Sequence, residues 1–247
     1  MKKIIGDLKL DKLYFREIPE ILNDVHIEGN IQIADNQIRN LNNFPLSCNY
    51  AEILHNINLN SLVGIKQKRM KGLEIRQSKI NNLEGCPEII DEYLMIKNCS
   101  RFTSLQGTLK EFAGIHFTIT FTSLKDMKHC PVTTGAVTNF SLRHNKLESL
   151  VGMPTKCHDL NINTNKLKTL VGCPEHITGN FFCSNNDLQN LDGFPKLIEG
   201  DCLMTVSSLF NDPFMQIHAQ FERELRKRCV IKGEVDLYDV YPKNVQV

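Results

Sequence analysis

Eight histidines and nine cysteines are the side chains of this chain best suited to metal binding or nucleophilic chemistry. Three histidines lie close to cysteines, in His129-Cys130, Cys157-His158 and Cys173-Pro174-Glu175-His176. A zinc site needs about four ligands converging on one point, usually as closely spaced pairs. Neighbours on a strand point to opposite faces, so Cys157 and His158 do not easily share one ion. No Cys-x-x-Cys occurs, and the cysteine count is odd. Cys86 and Cys173 each stand between a glycine and a proline, where Met153 and Phe194 stand in equivalent segments, so that place asks for an apolar group. The expectation is reduced, buried thiols in a cytosolic protein, with no bound metal and no cofactor. Gly-x-Ser-x-Gly, Walker and Gly-x-Gly-x-x-Gly sequences are all missing. No spacing favours a Cys–His nucleophile pair over chance, no catalytic residue is assigned, and a non-enzymatic protein is expected.

What would have to position such side chains is a repeat. An apolar-x-x-apolar step recurs about every 21 positions, the mark of stacked supersecondary units. Its first apolar residues are Ile38, Leu59, Ile80, Phe102, Phe121, Leu147, Leu167 and Leu188. The clearest unit runs from Leu160 to Leu170 as L-x-L-x-x-N-x-L-x-x-L. Alternation in L-x-L predicts a short strand with one face inward. The asparagine (Asn36, Asn145, Asn165, Asn186) stands where the chain leaves the strand, and its amide can satisfy backbone groups that water cannot reach. Ser78 and Ser100 substitute a shorter polar group, and Ile57 stands where residues 51–70 would need the asparagine. A return segment with Gly and Pro follows, as in Val171-Gly172-Cys173-Pro174, too short for a helix and therefore extended or 3₁₀-like. The spacing is short from Phe102 to Phe121 and long from there to Leu147. An irregular turn or protruding loop is expected around Asp126–Thr134, either drift in a tolerant loop or a partner contact.

This pattern resembles a leucine-rich repeat (LRR) of the short, irregular kind found in proteins of large tailed bacteriophages and bacteria. The resemblance covers about residues 18–210. It implies a leucine-rich-repeat β-solenoid: a curved parallel sheet on the concave side, short extended or 3₁₀ segments on the convex side, and macromolecules bound on the concave face. It carries over no catalytic residues.

Stacked repeats expose apolar ends and need caps. Residues 1–17, alternating through Leu8, Leu10, Leu13 and Phe15, are read as the N-terminal cap, residues 18–210 as a solenoid of about nine repeats, and residues 211–247 as the C-terminal cap. In the last segment Asp212-Pro213 is a helix start, and Phe214, Ile217, Phe221 and Leu225 recur at helical spacing. Arg226, Lys227 and Arg228 suit the helix C-terminus. The expectation is a capping helix over residues 213–228, then short strands at Val230-Ile231 and Val235 to Val240.

Net charge is near zero, 29 Lys+Arg against 28 Asp+Glu, which argues against general nucleic-acid binding. No apolar run reaches the roughly 18 residues of a membrane span. The opening Met-Lys-Lys-Ile-Ile is soon broken by Gly6 and Asp7, too short for a signal segment. The expected location is cytoplasmic, in the host cell if the chain is phage-encoded.

Outward strand positions define the expected partner-binding face: Glu74, Arg76, Met95, Lys97, Arg143, His144, Asn163 and Phe182. Arginine mixed with exposed aromatic or methionine groups is the composition of protein-binding hot spots. The plainer alternative is a solvated sheet with Phe182 packed under the C-terminal helix. The basic run Lys66-Gln67-Lys68-Arg69-Met70-Lys71 falls in an outer loop, as a solvated stretch or a site for an acidic partner. The functional expectation is non-catalytic binding of another protein, with the resemblance implying a phage-encoded inhibitor of a bacterial host or defence protein. The alternatives are a structural part of a virion or larger assembly and, further off, a nucleic-acid binder through Arg76, Lys97 and Arg143.

Overall fold

Short alternating runs separated by Gly, Pro and Asn cannot build long elements, and the chain instead winds into stacked coils. The computed structural model describes residues 2–135, 138–205 and 216–238. It is a parallel β-solenoid of about nine turns with one short helix near the C-terminus. Among the described residues, a 13-stranded sheet runs the length of the stack, from Leu8–Asp11 through Ile31–Ala34, Tyr50–Leu54, Arg69–Arg76, Ile89–Lys97, His116–Thr120, Asn139–Ser141, Leu160–Asn161, Phe181–Phe182 and Cys202–Thr205 to Val235–Tyr238, with Glu111–Phe112 and Val132–Thr133 branching from Ile89–Lys97. A second parallel sheet joins Lys156–Cys157, His176–Ile177, Leu197–Ile198 and Val230–Ile231. Parts of the return segments are therefore extended strands, while Glu20–Leu22 is a 3₁₀ turn.

Register stacks like on like. Ile33, Ile53, Ile75, Ile96 and Ile119 lie in one buried row, and Leu73, Leu94, Phe117, Phe140, Leu160 and Phe181 in another. Each such side chain contributes about 1.5–3 kcal/mol on burial.

The asparagines close each coil. Asn165 donates from Nδ2 to the carbonyls of Leu142 and Ile162 (2.9 Å each) and accepts the Leu147 N–H at 3.0 Å, tying two coils together. Two assignments of this row are corrected, and a member that the sequence reading did not assign is added. Asn56, not Ile57, fills the place in the second repeat: Asn56 is fully buried and donates to Ile33 and Leu54 carbonyls, while Ile57 is exposed. Cys99, not Ser100, follows Ser78, with its Sγ 3.3 Å from the Ser78 Oγ. Thr122 then takes the place, its hydroxyl donating to Asn145 Oδ1 at 2.7 Å.

Phe121 is a third correction. It is 48% exposed, and the buried first apolar position belongs to Leu124, followed by buried Met127. With Leu124 in place the uneven spacing disappears. The expected loop at Asp126–Thr134 is an ordinary return segment: His129 turns the chain at φ +62°, where Gly152, Gly172 and Gly193 do so in later coils, and Val132–Thr133 pairs with Glu111–Phe112. The irregularity came from anchoring the period on the wrong phenylalanine.

Residues 2–17 form a coil of their own: Lys2–Ile4 pairs with Val25–Ile27, and Leu8–Asp11 is an edge strand of the long sheet. At the other end the helix Gln216–Arg228 buries Leu225, and Arg226 donates to the Ile231 carbonyl at 3.0 Å. The chain then rejoins both sheets through Val230–Ile231 and Val235–Tyr238. The expected helix start at Asp212-Pro213, Phe214, the side chains of Ile217 and Phe221, and the strand end at Val240 lie outside the described residues.

Candidate functional site

The long sheet turns every second side chain away from the core, and register lines these up as outward rows. One row carries Gln32, Glu52, Glu74, Met95, Thr118, Ser141, Asn161 and Phe182. The next carries Ala34, Leu54, Arg76, Lys97 and Thr120. Arg143 continues that row, its carbonyl accepting the Phe121 N–H.

Glu74, Arg76, Met95 and Lys97 form one cluster. Glu74 is 8% exposed, a burial that an isolated carboxylate would resist. It is held by the Arg76 guanidinium, whose Nε donates to Oε1, and by Lys97 Nζ at 3.7 Å. Two of the three expected cations thus serve an internal carboxylate. Arg143 is exposed and has a different role. Its guanidinium lies 5.9 Å from the centroid of the Phe121 ring, and Phe121 stacks on His144 at 4.4 Å and 8°. Offset ring stacking and cation–π contact each contribute about 0.5–1.5 kcal/mol.

Backbone geometry explains why this phenylalanine is outside. Asp35, His55, Gln77, Asn98, Phe121, His144, Thr164 and Asn185 all have φ between +49° and +58°. This left-handed turn at the end of each strand throws one side chain out of every coil. Polar residues hold the place in most coils, but Phe121 is large and apolar.

A second aromatic pair lies at the strand entrances. The rings of Tyr50 and Tyr93 stack at 5.6 Å and 10°, although the strand containing Gly72 runs between theirs. The Tyr50 hydroxyl donates to Glu92 Oε2 at 2.6 Å, and Lys71 Nζ sits 5.9 Å from the Tyr50 ring. The hydrogen bond to Glu92 raises the Tyr50 pKa. Burial, reinforced by Glu52, Glu74 and Glu92, pushes the Tyr93 hydroxyl up to about 12. Sequence reasoning missed this pair; its signal was a lone glycine between two tyrosines at equivalent repeat positions.

Asn163 and Phe182 stand apart from these clusters. The Asn163 side chain accepts the Ser184 N–H at 2.6 Å and so shapes the turn. Phe182 is half-buried between Asn161 and Leu203, five strand steps from Glu74, or about 24 Å at normal strand spacing. The eight expected residues share one face but divide into separate groups.

The basic run is engaged across coils. Lys66 donates to the Asn23 carbonyl at 2.6 Å, the Gln67 amide pairs with the Cys48 backbone, Lys68 and Arg69 meet Glu88 and Asp91, Met70 is buried, and Lys71 lies by Tyr50.

The cysteine–histidine neighbours do not converge. Cys157 is buried while the His158 ring meets Thr178 Oγ1 at 2.9 Å, and His176 meets Glu199 at 2.6 Å. Among the described residues no group of three or more His, Cys, Asp or Glu could hold a metal ion, and no helix is long and apolar enough to cross a membrane. All nine cysteines are free thiols. Burial pushes Cys48, Cys130, Cys157 and Cys202 up to about 12, far from the thiolate form a nucleophile needs.

The chain matches no protein-family model, no curated protein and no solved structure.

Proposed function

We propose that this chain is a non-catalytic protein-binding module of the leucine-rich-repeat kind, docking its partner on the outward face of the long sheet between Tyr50 and His144. The observation that carries this reading is the pair of aromatic stacks, Tyr50–Tyr93 and Phe121–His144, held at the surface of one sheet face with exposed Arg143 beside the second. Tyrosine, arginine and phenylalanine are the residues that supply binding energy at protein interfaces, because they bring large, rigid surface at small entropic cost. The coils beneath them are fixed by stacked interior rows and asparagine hydrogen bonds, so little order is lost on docking. The resemblance to repeat proteins of large tailed bacteriophages extends the reading to an inhibitor acting in the host cytoplasm on a bacterial host or defence protein. A second reading, a part of a larger assembly, draws on the sheet edge at Leu8–Asp11, unpaired among the described residues.

Affinity capture with three forms of the chain tests the first reading. The wild type and a Lys196→Glu variant, altered on the return side, should retain the same protein. A Phe121→Ala/Arg143→Glu variant, changed only at exposed side chains, should lose it by at least about tenfold in affinity. Equal retention by all three forms would move the site off this face. Reversing Arg76 and Lys97 is a poorer test, since new carboxylates would crowd Glu74 and disturb the sheet itself.

A further inference from the structure

We propose that two copies of this chain join through the edge strand Leu8–Asp11, paired antiparallel across a two-fold axis at Leu10. This inference is independent of the docking face. Leu8 and Lys12 turn their N–H groups inward, to the carbonyls of Asn30 and Ala34. The alternate residues Lys9 and Asp11 therefore direct their backbone N–H and C=O to the free side, where no strand lies among the described residues. An unprotected edge of this kind is a template for another strand.

Charge selects the occupant and the register. Register puts Lys9 and Asp11 on the outward side of the sheet, Lys9 exposed and Asp11 half-buried with its Oδ1 buried and unpartnered, and neither has an ion-pair partner among the described residues. Centring the axis on Lys9 sets lysine against lysine, and centring it on Asp11 sets carboxylate against carboxylate. Centring it on Leu10 places each Lys9 opposite the other copy's Asp11, twice, and makes them the pair that exchanges both backbone hydrogen bonds. Opposite charges directly across an antiparallel pair stabilise it, and like charges oppose it.

The flanks are self-complementary in the same register. Ile5 before the strand is 87% exposed, and Leu13 and Tyr14 after it are 49% and 73% exposed. Antiparallel pairing brings the segment before the strand in one copy to the segment after it in the other, so these apolar side chains meet. The arrangement is isologous and closes at two copies.

Sedimentation equilibrium of the full chain under reducing conditions tests this. The wild type should dimerise, and Lys9→Glu and Asp11→Lys should each raise the dimer dissociation constant at least about tenfold. An equimolar mixture of the two single variants should recover wild-type association, because the introduced glutamate of one copy then meets the introduced lysine of the other, while the remaining native Asp11 and Lys9 still face each other. Lys9→Pro, which removes an N–H that the coil does not use, should be monomeric with unchanged far-UV circular dichroism, and it carries the test should Asp11→Lys fail to fold. A monomeric wild type, single variants that associate normally, a mixture of folded variants that stays monomeric, or open-ended growth would each overturn the proposal.

Discussion

Tyr50 and Tyr93 stack on each other at 5.6 Å across an intervening strand, and Gly72 between them makes the contact. Strands two apart in a sheet lie about 9.5 Å from one another, too far for ring contact over an ordinary residue. A Cβ at Gly72 would fall 2.6 Å from the Tyr93 ring. Gly72→Val should therefore part the rings, costing about 0.5–1.5 kcal/mol of stacking. Urea unfolding and the tyrosine near-ultraviolet circular dichroism read the effect. An unchanged spectrum would show that the rings do not depend on the glycine.

Asn165 serves two coils at once, and its loss should be felt in both. Asn165→Ala strands the buried N–H of Leu147 and takes one of two amide donors from each of the Leu142 and Ile162 carbonyls, which keep Asn145 and Asn186. The orphaned N–H costs about 1–3 kcal/mol, so the midpoint of denaturant unfolding should fall. A loss below about 1 kcal/mol would mean that water replaces the amide and that the row is not structural.

Gly172 and His129 hold equivalent turns with different demands. At Gly172, φ is +90° and a Cβ would lie 2.5 Å from the Val151 backbone nitrogen, which cannot swing aside. Gly172→Ala should destabilise by more than about 1 kcal/mol. At His129, φ is +62°, inside the small left-handed region open to other residues. His129→Gly should be nearly neutral, the relief of left-handed strain offset by a more flexible unfolded chain. Thermal melts of both variants check the contrast.

Alkali should weaken the fold. Cys48, Cys130, Cys157 and Cys202 ionise near 9 when exposed, but burial raises them to about 12. Above pH 9 the unfolded chain therefore loses thiol protons that the folded chain keeps. The stabilisation is complete below pH 9 and declines as pH rises towards 12, by about 1.4 kcal/mol per pH unit for each thiol. Urea midpoints under reducing conditions at pH 7 and pH 10 measure it, and equal midpoints would show that the thiols are not shielded. Folded protein should also resist thiol reagents that modify all nine cysteines after unfolding.

Period and alternation were enough to read the solenoid, because burial at a fixed period leaves a repeating trace in residue type. Leu147, Leu167 and Leu188 are all fully buried, as the repeat required. Reading went astray where one residue type can serve two places. Phe121 looked like a core residue since nothing local separates an exposed phenylalanine from a buried apolar residue three positions later, at Leu124. Cys99 and Thr122 were overlooked as stand-ins for asparagine because a thiol and a hydroxyl can fill the same hydrogen-bonding place only when neighbouring coils bring the right polar side chains to them, here Ser78 and Asn145.

Sequence alone determined the stacked coils, the inward rows and the outward position of Glu74, Arg76, Met95 and Lys97, since alternation along a strand is a local property. Only the tertiary structure decided which outward groups are free. Arg76 and Lys97 are drawn to Glu74, Tyr50 reaches Tyr93 over Gly72, and Arg143 lies by Phe121 and His144. Apart from Arg76 with Glu74 on one strand and the adjacent Arg143 and His144, those partners come from different coils, 20 or more positions apart in the chain, and it is the register between strands that makes them neighbours.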